Sequence, residues 1–206
     1  YWRTLVIVQF FSKDITRLSD EELMVLFIQK GHNKYIEEIY KRYSPKLLGY
    51  FFRMLNGDDE KAQDLLQDLF LKVIEKKQQF DPSKKFYTWI FTIASNSFKS
   101  DYRKLSNRNT TRDYPIEKTP LQYDENLFDR KEFKIALRKG INQLTTKHKI
   151  AFILRYNEGF TVKEIAEITA TSEGTVKSRI YYATQQISEN IKEFSPINEP
   201  HIFKHD

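Results

Sequence analysis

The stretch FTVKEIAEITATSEGTVKSRIYYA, residues 160–183, constrains the fold more than any other part of the 206-residue chain. It carries two helix-start signals in quick succession. Thr161 with Glu164 forms a capping box, in which hydroxyl and carboxylate each satisfy a backbone N–H that the end of a helix leaves without a partner. Ser172 is a second N-cap. The spacing predicts a short helix over 162–168, a break of about four residues, and a second helix from about 172. On the second helix Val176, Ile180, Ala183, Ile187 and Ile191 recur at four, three, four and four, which defines a buried face. Ala166 falls where two helices must approach closely.

Gly174, Lys177, Ser178 and Tyr181 point the other way, in the first turns of that helix. A helical glycine costs up to about 1 kcal/mol relative to alanine. At an exposed position it makes sense if another surface has to come very close. Lys177 can donate to a phosphate or a base acceptor, Ser178 can bond either, and Tyr181 adds a hydroxyl and an apolar ring. A helix-turn-helix seats the N-terminal part of its second helix in the major groove, and these are the side chains it would present there. The alternative is a plain helical hairpin with a wet polar face. Thr169 and Thr171 stand where such motifs usually bury aliphatics, and Ala170 replaces the usual turn glycine, which predicts a looser turn.

The remainder reads as helical too. Six glycines, six prolines and 40% apolar residues favour helices joined by short connections. A capping box at Ser19 and Glu22 opens one helix, which Gly31 ends. A second runs over 33–55, and a third follows the anionic start Asp58, Asp59, Glu60 with an apolar stripe from Ala62 to Ile74. Pro82 breaks the pattern before a fourth helix over 86–104. After a polar, aperiodic segment come a basic helix ended at Gly140, a helix over 145–157, and the motif above. The expected architecture is all-α, with two small helical domains on a tether. The boundaries are an N-terminal extension 1–18 outside the fold, a first domain 19–105, a linker 106–126, a helix-turn-helix domain 127–194 and a tail 195–206.

Composition narrows the chemistry. The absence of cysteine excludes disulfides and thiolate catalysis, and points to a reducing, cytoplasmic setting. The net charge of +6 permits a polyanionic partner. No apolar run approaches the length of a membrane span, so direct membrane insertion is not expected. His32, His148, His201 and His205 lack metal-ligand spacing, and there is neither a Gly-rich phosphate loop nor a nucleophile–base arrangement. The expectation is a protein without enzymatic activity, cofactor, metal or small-molecule substrate.

The fourth helix offers a second candidate surface. One face carries Phe86, Trp89, Ile90, Ile93, Ala94 and Ser97, and another carries Tyr87, Phe91, Ser95, Lys99 and Tyr102. Aromatics interleaved with Lys99, Arg103 and Lys104 suit a surface that stacks unpaired bases and follows phosphates. Phe86 and Trp89 read as core. Asn96, Lys99, Tyr102 and Arg103 read as a contact set, with Asn96 able to donate to and accept from a base edge.

Two motifs resemble the small, extracytoplasmic-function (ECF) group of bacterial RNA polymerase sigma factors. LTTKHKIAFILRYNEGFTVKEIAEITATSEGTVKSRIYYA is similar to the group's C-terminal promoter-binding domain, with GTVKSRI after an EIA helix. FYTWIFTIASN is similar to the domain that opens DNA. The resemblance implies a sigma factor that binds core RNA polymerase and directs initiation at specific promoters. It assigns reading of the upstream (−35) element to Gly174, Thr175, Lys177, Ser178, Arg179, Tyr181 and Tyr182. It assigns the melted (−10) strand to Phe80, Lys84 and Lys85 of the 80–85 loop together with Asn96, Lys99, Tyr102 and Arg103. The third helix resembles the polymerase-docking helix, through Gln63, Asp64, Gln67, Asp68 and Phe70. Promoter DNA and core polymerase are the implied partners, and an anti-sigma protein is a further partner common in this group. Two other readings remain open on the residues alone: a helix-turn-helix regulator that binds duplex DNA without polymerase, and a helical adaptor with no nucleic-acid role.

Overall fold

The computed structural model describes residues 14–107 and 126–194, and every long element among them is an α-helix. The described chain divides into two compact units. One comprises residues up to Phe52 with Asp59–Tyr102, and the other comprises the turn Arg53–Asp58 with the chain from Arg103 on.

In the first unit, α1 (Asp20–Lys30) opens on the expected capping box: Glu22 N–H donates to Ser19 Oγ at 3.1 Å, and Ser19 N–H to Glu22 Oε2 at 2.8 Å. Gly31 ends it in the left-handed conformation, at φ 67°. Helix α2 (Asn33–Met54) runs through Pro45, which has no N–H to give to the preceding turn. Helix α3 (Asp59–Glu75) and α4 (Phe86–Asn107), the latter as far as Tyr102, complete the unit. Its centre is aromatic: Tyr50, Phe51, Phe86 and Phe91 are fully buried together with Leu23, Met24, Ile39, Leu47, Leu69 and Ile90.

The fold begins before the predicted boundary at residue 19. A 3-10 turn at Ile15–Arg17 precedes α1, and Leu18 is buried. Arg42 of α2 secures this segment by donating to the carbonyls of Ile15, Thr16 and Leu18 at 3.4, 2.9 and 2.9 Å. It also pairs with Asp20 and Glu38, each at 2.8 Å. Residues 14–18 therefore belong to the first unit, whereas 1–13 of the expected extension lie outside the described residues.

The second unit holds α5 (Asn126–Gln143), α6 (Thr146–Tyr156), α7 (Val162–Thr169) and α8 (Glu173–Asn190), followed by a 3-10 turn at Lys192–Phe194. Both predicted caps of the motif are in place. Glu164 N–H donates to Thr161 Oγ1 at 3.2 Å, and Thr175 N–H to Ser172 Oγ at 3.2 Å. Val176, Ile180, Ala183 and Ile187 form the buried face of α8 as the spacing requires, with Ile191 half-buried.

Gly140 does not end α5, contrary to the sequence reading. The helix continues for three residues, and a Cβ at position 140 would stand 3.3 Å from Asn190 Cβ and 3.4 Å from Ile187 Cα. The glycine serves the close approach of α5 to α8. The turn after α7 is not loose either. Ala170 itself takes the left-handed conformation (φ 53°, ψ 52°), and its N–H and that of Thr171 bond back to α7 at 3.2 and 3.0 Å. Thr169 keeps a buried place because its hydroxyl donates to the Ile165 carbonyl at 2.7 Å and pairs with Thr171 Oγ1 at 2.9 Å. The linker core, 108–125, and the tail, 195–206, lie outside the described residues.

Candidate nucleic-acid interface

On α8 the exposed side chains are Glu173, Lys177, Ser178, Tyr181, Tyr182, Gln185 and Glu189, with Gly174 exposed among them. Thr175 and Arg179 are half-buried on one flank. A Cβ added at Gly174 would meet nothing closer than Ser172 Oγ at 3.9 Å. The fold therefore does not require glycine there, which leaves an external surface as the reason for it. Ser178 Oγ donates to the Thr175 carbonyl at 3.0 Å and keeps its lone pairs for an outside donor. Tyr181 and Tyr182 pack edge to face at 5.5 Å, and Gln185 Nε2 donates to Tyr181 Oη at 2.7 Å. All seven residues predicted for duplex reading thus lie on the exposed face of α8 or along its flank.

The second surface belongs to α4. From Ile93 to Phe98 every residue is buried except Asn96, which is exposed. Lys85, Trp89, Thr92, Asn96, Lys99 and Arg103 recur at four, three, four, three and four, so they share one side of the helix. Lys85 and Arg103 are exposed, and Trp89, Thr92 and Lys99 are half-buried. Tyr102 is half-exposed on the adjacent side, with its ring 6.0 Å from Phe98. The aromatics of the other face pack inward: Tyr87 and Phe91 meet at 4.9 Å, and Phe91 meets Tyr50 at 5.4 Å. Phe91 is core, and Tyr87 is half-buried, with Lys46 Nζ donating to its hydroxyl at 3.2 Å.

The start of α4 is fixed from a distance. Glu21 of α1 accepts the Phe86 N–H at 2.8 Å, placing a carboxylate at the positive end of the helix. In the preceding loop, Asp81 Oδ1 accepts from Ser83 N–H at 3.0 Å and Ser83 Oγ at 2.7 Å, which holds the Asp81 carboxyl below its usual range. Lys84 and Lys85 are exposed, but Phe80 is only 5% exposed, with its ring 5.7 Å from Phe86 and 5.3 Å from Trp89. Phe80 thus anchors the loop from within and is not placed to touch a strand.

Helix α3 divides similarly. Gln63, Asp64, Gln67 and Asp68 are exposed, as the docking reading requires. Phe70 is 7% exposed, with its ring 4.7 Å from Tyr40, so it is core and leaves the docking set. Two apolar residues of the same helix that the sequence reading did not place on this side are exposed instead. Leu71 is 65% exposed and Ile74 43%, and they follow Gln67 by four and seven residues, on the same side. Ile74 closes the apolar stripe in the sequence, yet it is exposed. Among the described residues no group of acidic and histidine side chains could hold a metal, and no helix is long and apolar enough to cross a membrane.

The chain matches two family descriptions, Sigma-70 region 2 over residues 39–108 and Sigma-70, region 4 over residues 134–187. It is 31% identical over 134 residues to the ECF RNA polymerase sigma factor EcfG of Rhodopseudomonas palustris, spanning 65% of this chain and 73% of that one. It is 27% identical over 188 residues to the RNA polymerase sigma-H factor of Pseudomonas aeruginosa, spanning 86% and 96%. Among solved structures it is similar to the sigma factor RpoE of Bartonella quintana in complex with the anti-sigma factor NepR, with TM-score 0.64, 27% identity, and coverage of 77% of this chain and 98% of that one. With α3 and α4 inside the first match and the α7–α8 motif inside the second, the chain belongs to the ECF group of the sigma-70 family.

Proposed function

We propose that this protein directs core RNA polymerase to specific promoters, with α8 reading duplex DNA at the −35 element and the exposed side of α4 engaging the opening strand at the −10 element. Family membership supports the sigma-factor function. The geometric observation that carries the division of labour is Asn96, an exposed polar side chain in the middle of an otherwise buried helical run, with Lys99 one turn on. A regulator that binds only duplex DNA needs no such surface in a unit separate from its helix-turn-helix.

Each residue then has a role. Lys177, Ser178 and the Tyr181–Tyr182 pair face the major groove, Gly174 admits the DNA closely, and Thr175 and Arg179 reach the bordering phosphates. Lys84 and Lys85 draw the strand toward Asn96, while Tyr102 and Arg103 extend the track. Unpairing a base costs a few kcal/mol, so a waiting surface favours promoters that open readily. Gln63, Asp64, Gln67 and Asp68, with Leu71 and Ile74, form the polymerase-facing side of α3: apolar anchors in an acidic surround that repels DNA. An anti-sigma protein is part of the same proposal, by likeness to the RpoE–NepR complex. The protein performs no covalent chemistry, needs no cofactor, and works in the cytoplasm beside the polymerase.

Run-off transcription with purified core polymerase tests this reading. Specific transcripts that require the added protein support it, and their absence on all genomic templates refutes it. Phosphate contacts by Lys and Arg further require promoter capture to fall steeply as salt rises.

A further inference from the structure

The exposed aromatics of α8 have a neighbour on α6. His148, in the first turn of α6, lies with its ring 6.2 Å from that of Tyr182 and tilted 25° from its plane. Tyr182 is 55% exposed and also meets Tyr181 edge to face. The imidazole Nδ1 is buried and has no hydrogen-bond partner among the described residues. With Nδ1 unpaired, no hydrogen bond through that atom fixes the ring, and the Tyr182 ring is the aromatic surface it lies against. We propose that His148 is a positioning residue for promoter reading, bracing Tyr182 from α6 so that its ring is presented to the groove in one orientation.

This inference rests on the reading of α8 as the duplex-reading helix, and it deepens that reading by giving the helix a second support. A tyrosine half in water samples several rotamers, and ordering it on binding weakens affinity. An aromatic neighbour orders it beforehand, with a stacking preference that does not depend on DNA. Burial, then the nearby Arg179 charge, lower the His148 pKa below its ordinary value, so the imidazole is neutral at neutral pH. A neutral ring is suited to stacking and adds no phosphate-seeking charge of its own.

The test uses the full chain assembled with core polymerase on a duplex promoter recovered by run-off transcription. Capture is measured for wild type, His148→Ala, His148→Phe, Tyr182→Ala, the Tyr182→Ala/His148→Ala double variant, and Lys177→Ala as control. Each is assayed against a panel of single-base substitutions across the −35 element. We expect His148→Ala to weaken capture about three- to tenfold and to flatten discrimination at the same base positions as Tyr182→Ala. The double variant should be no worse than Tyr182→Ala alone, and His148→Phe should restore both affinity and discrimination. An even loss across all base substitutions, full additivity in the double variant, or wild-type behaviour of His148→Ala overturns the proposal. If Lys177→Ala still weakens capture in those cases, α8 keeps its role and only the brace is lost. If all the variants, Lys177→Ala included, capture promoter like wild type, the duplex reading falls with it.

Discussion

Replacing Gly174 by alanine separates what the fold needs from what the DNA needs. The added Cβ would lie 3.9 Å from Ser172 Oγ, an ordinary contact, and among the described residues nothing beyond its own helical turn is nearer. Position 174 is the second residue of α8, where helical backbone geometry is already set. Alanine there should stabilise the second unit by about 0.5 kcal/mol, the low end of the usual glycine-to-alanine gain. In a unit of this size that raises the unfolding midpoint by about 2–4 °C. The same methyl group should obstruct the DNA. Forcing one extra carbon into a close-packed contact costs about 1–3 kcal/mol, equivalent to a loss in affinity of roughly five- to 150-fold. Calorimetry of the full chain and fluorescence anisotropy of the holoenzyme on a labelled −35 duplex give the two numbers. A variant that is more stable yet binds DNA as well as wild type would refute the reasoning, because the glycine would then serve no external surface. A less stable variant would refute the geometry of the turn.

Three further outcomes follow from the second unit. Ala170→Gly should raise its stability by about 0.5–1 kcal/mol, because an L-residue in the left-handed region costs about 1–2 kcal/mol and glycine returns part of that as unfolded-chain entropy; Ala170→Val should destabilise, and thermal melts of both check the pair. Gly140→Ala should destabilise by about 1–3 kcal/mol in a urea titration, since the new methyl meets the α8 backbone near Ile187 and the Asn190 side chain. Lys149 is buried, and burial pulls its pKa down from 10.5 to about 8. The unfolded chain therefore binds more protons than the folded one between these values, and stability contributed by the neutral amine grows as pH rises through 8–10.5, with a ceiling of about 3 kcal/mol. Unfolding free energies at pH 7.5 and 10 should show that rise in wild type and lack it in Lys149→Met.

The parts of this fold legible in the sequence are those encoded by neighbours. Both capping boxes, the Ser172 cap and the buried face of α8 depend on residues three or four apart, and each stands where the pattern put it. The parts that were not legible depend on distant residues. Gly140 has the look of a helix stop until Ile187 and Asn190 of α8 are seen against it. Arg42 secures 14–18 from more than twenty residues away, and Glu21 caps α4 across 65 residues. The candidate surfaces divide in the same way. Asn96 and Lys177 are polar types that the sequence places on the surface, and both are exposed. Phe70 and Phe80 carry an ambiguous type, since an aromatic next to a polar strip can face either way, and only the rings of Tyr40 and Trp89 decide it. His148 offered no signal in one dimension, because Tyr182 lies 34 positions along the chain.

The central claim is that capture of closed DNA and seizure of the separated strand reside in different units. Holoenzymes carrying Lys177→Ala or Asn96→Ala, followed on one promoter by duplex binding and by 2-aminopurine fluorescence at the −10 bases, measure the two steps separately. Lys177→Ala should lower duplex affinity and leave the opening rate of bound promoter near wild type, while Asn96→Ala should bind like wild type and open slowly. If both variants lose duplex affinity to the same extent and open at the same rate once bound, the division does not exist.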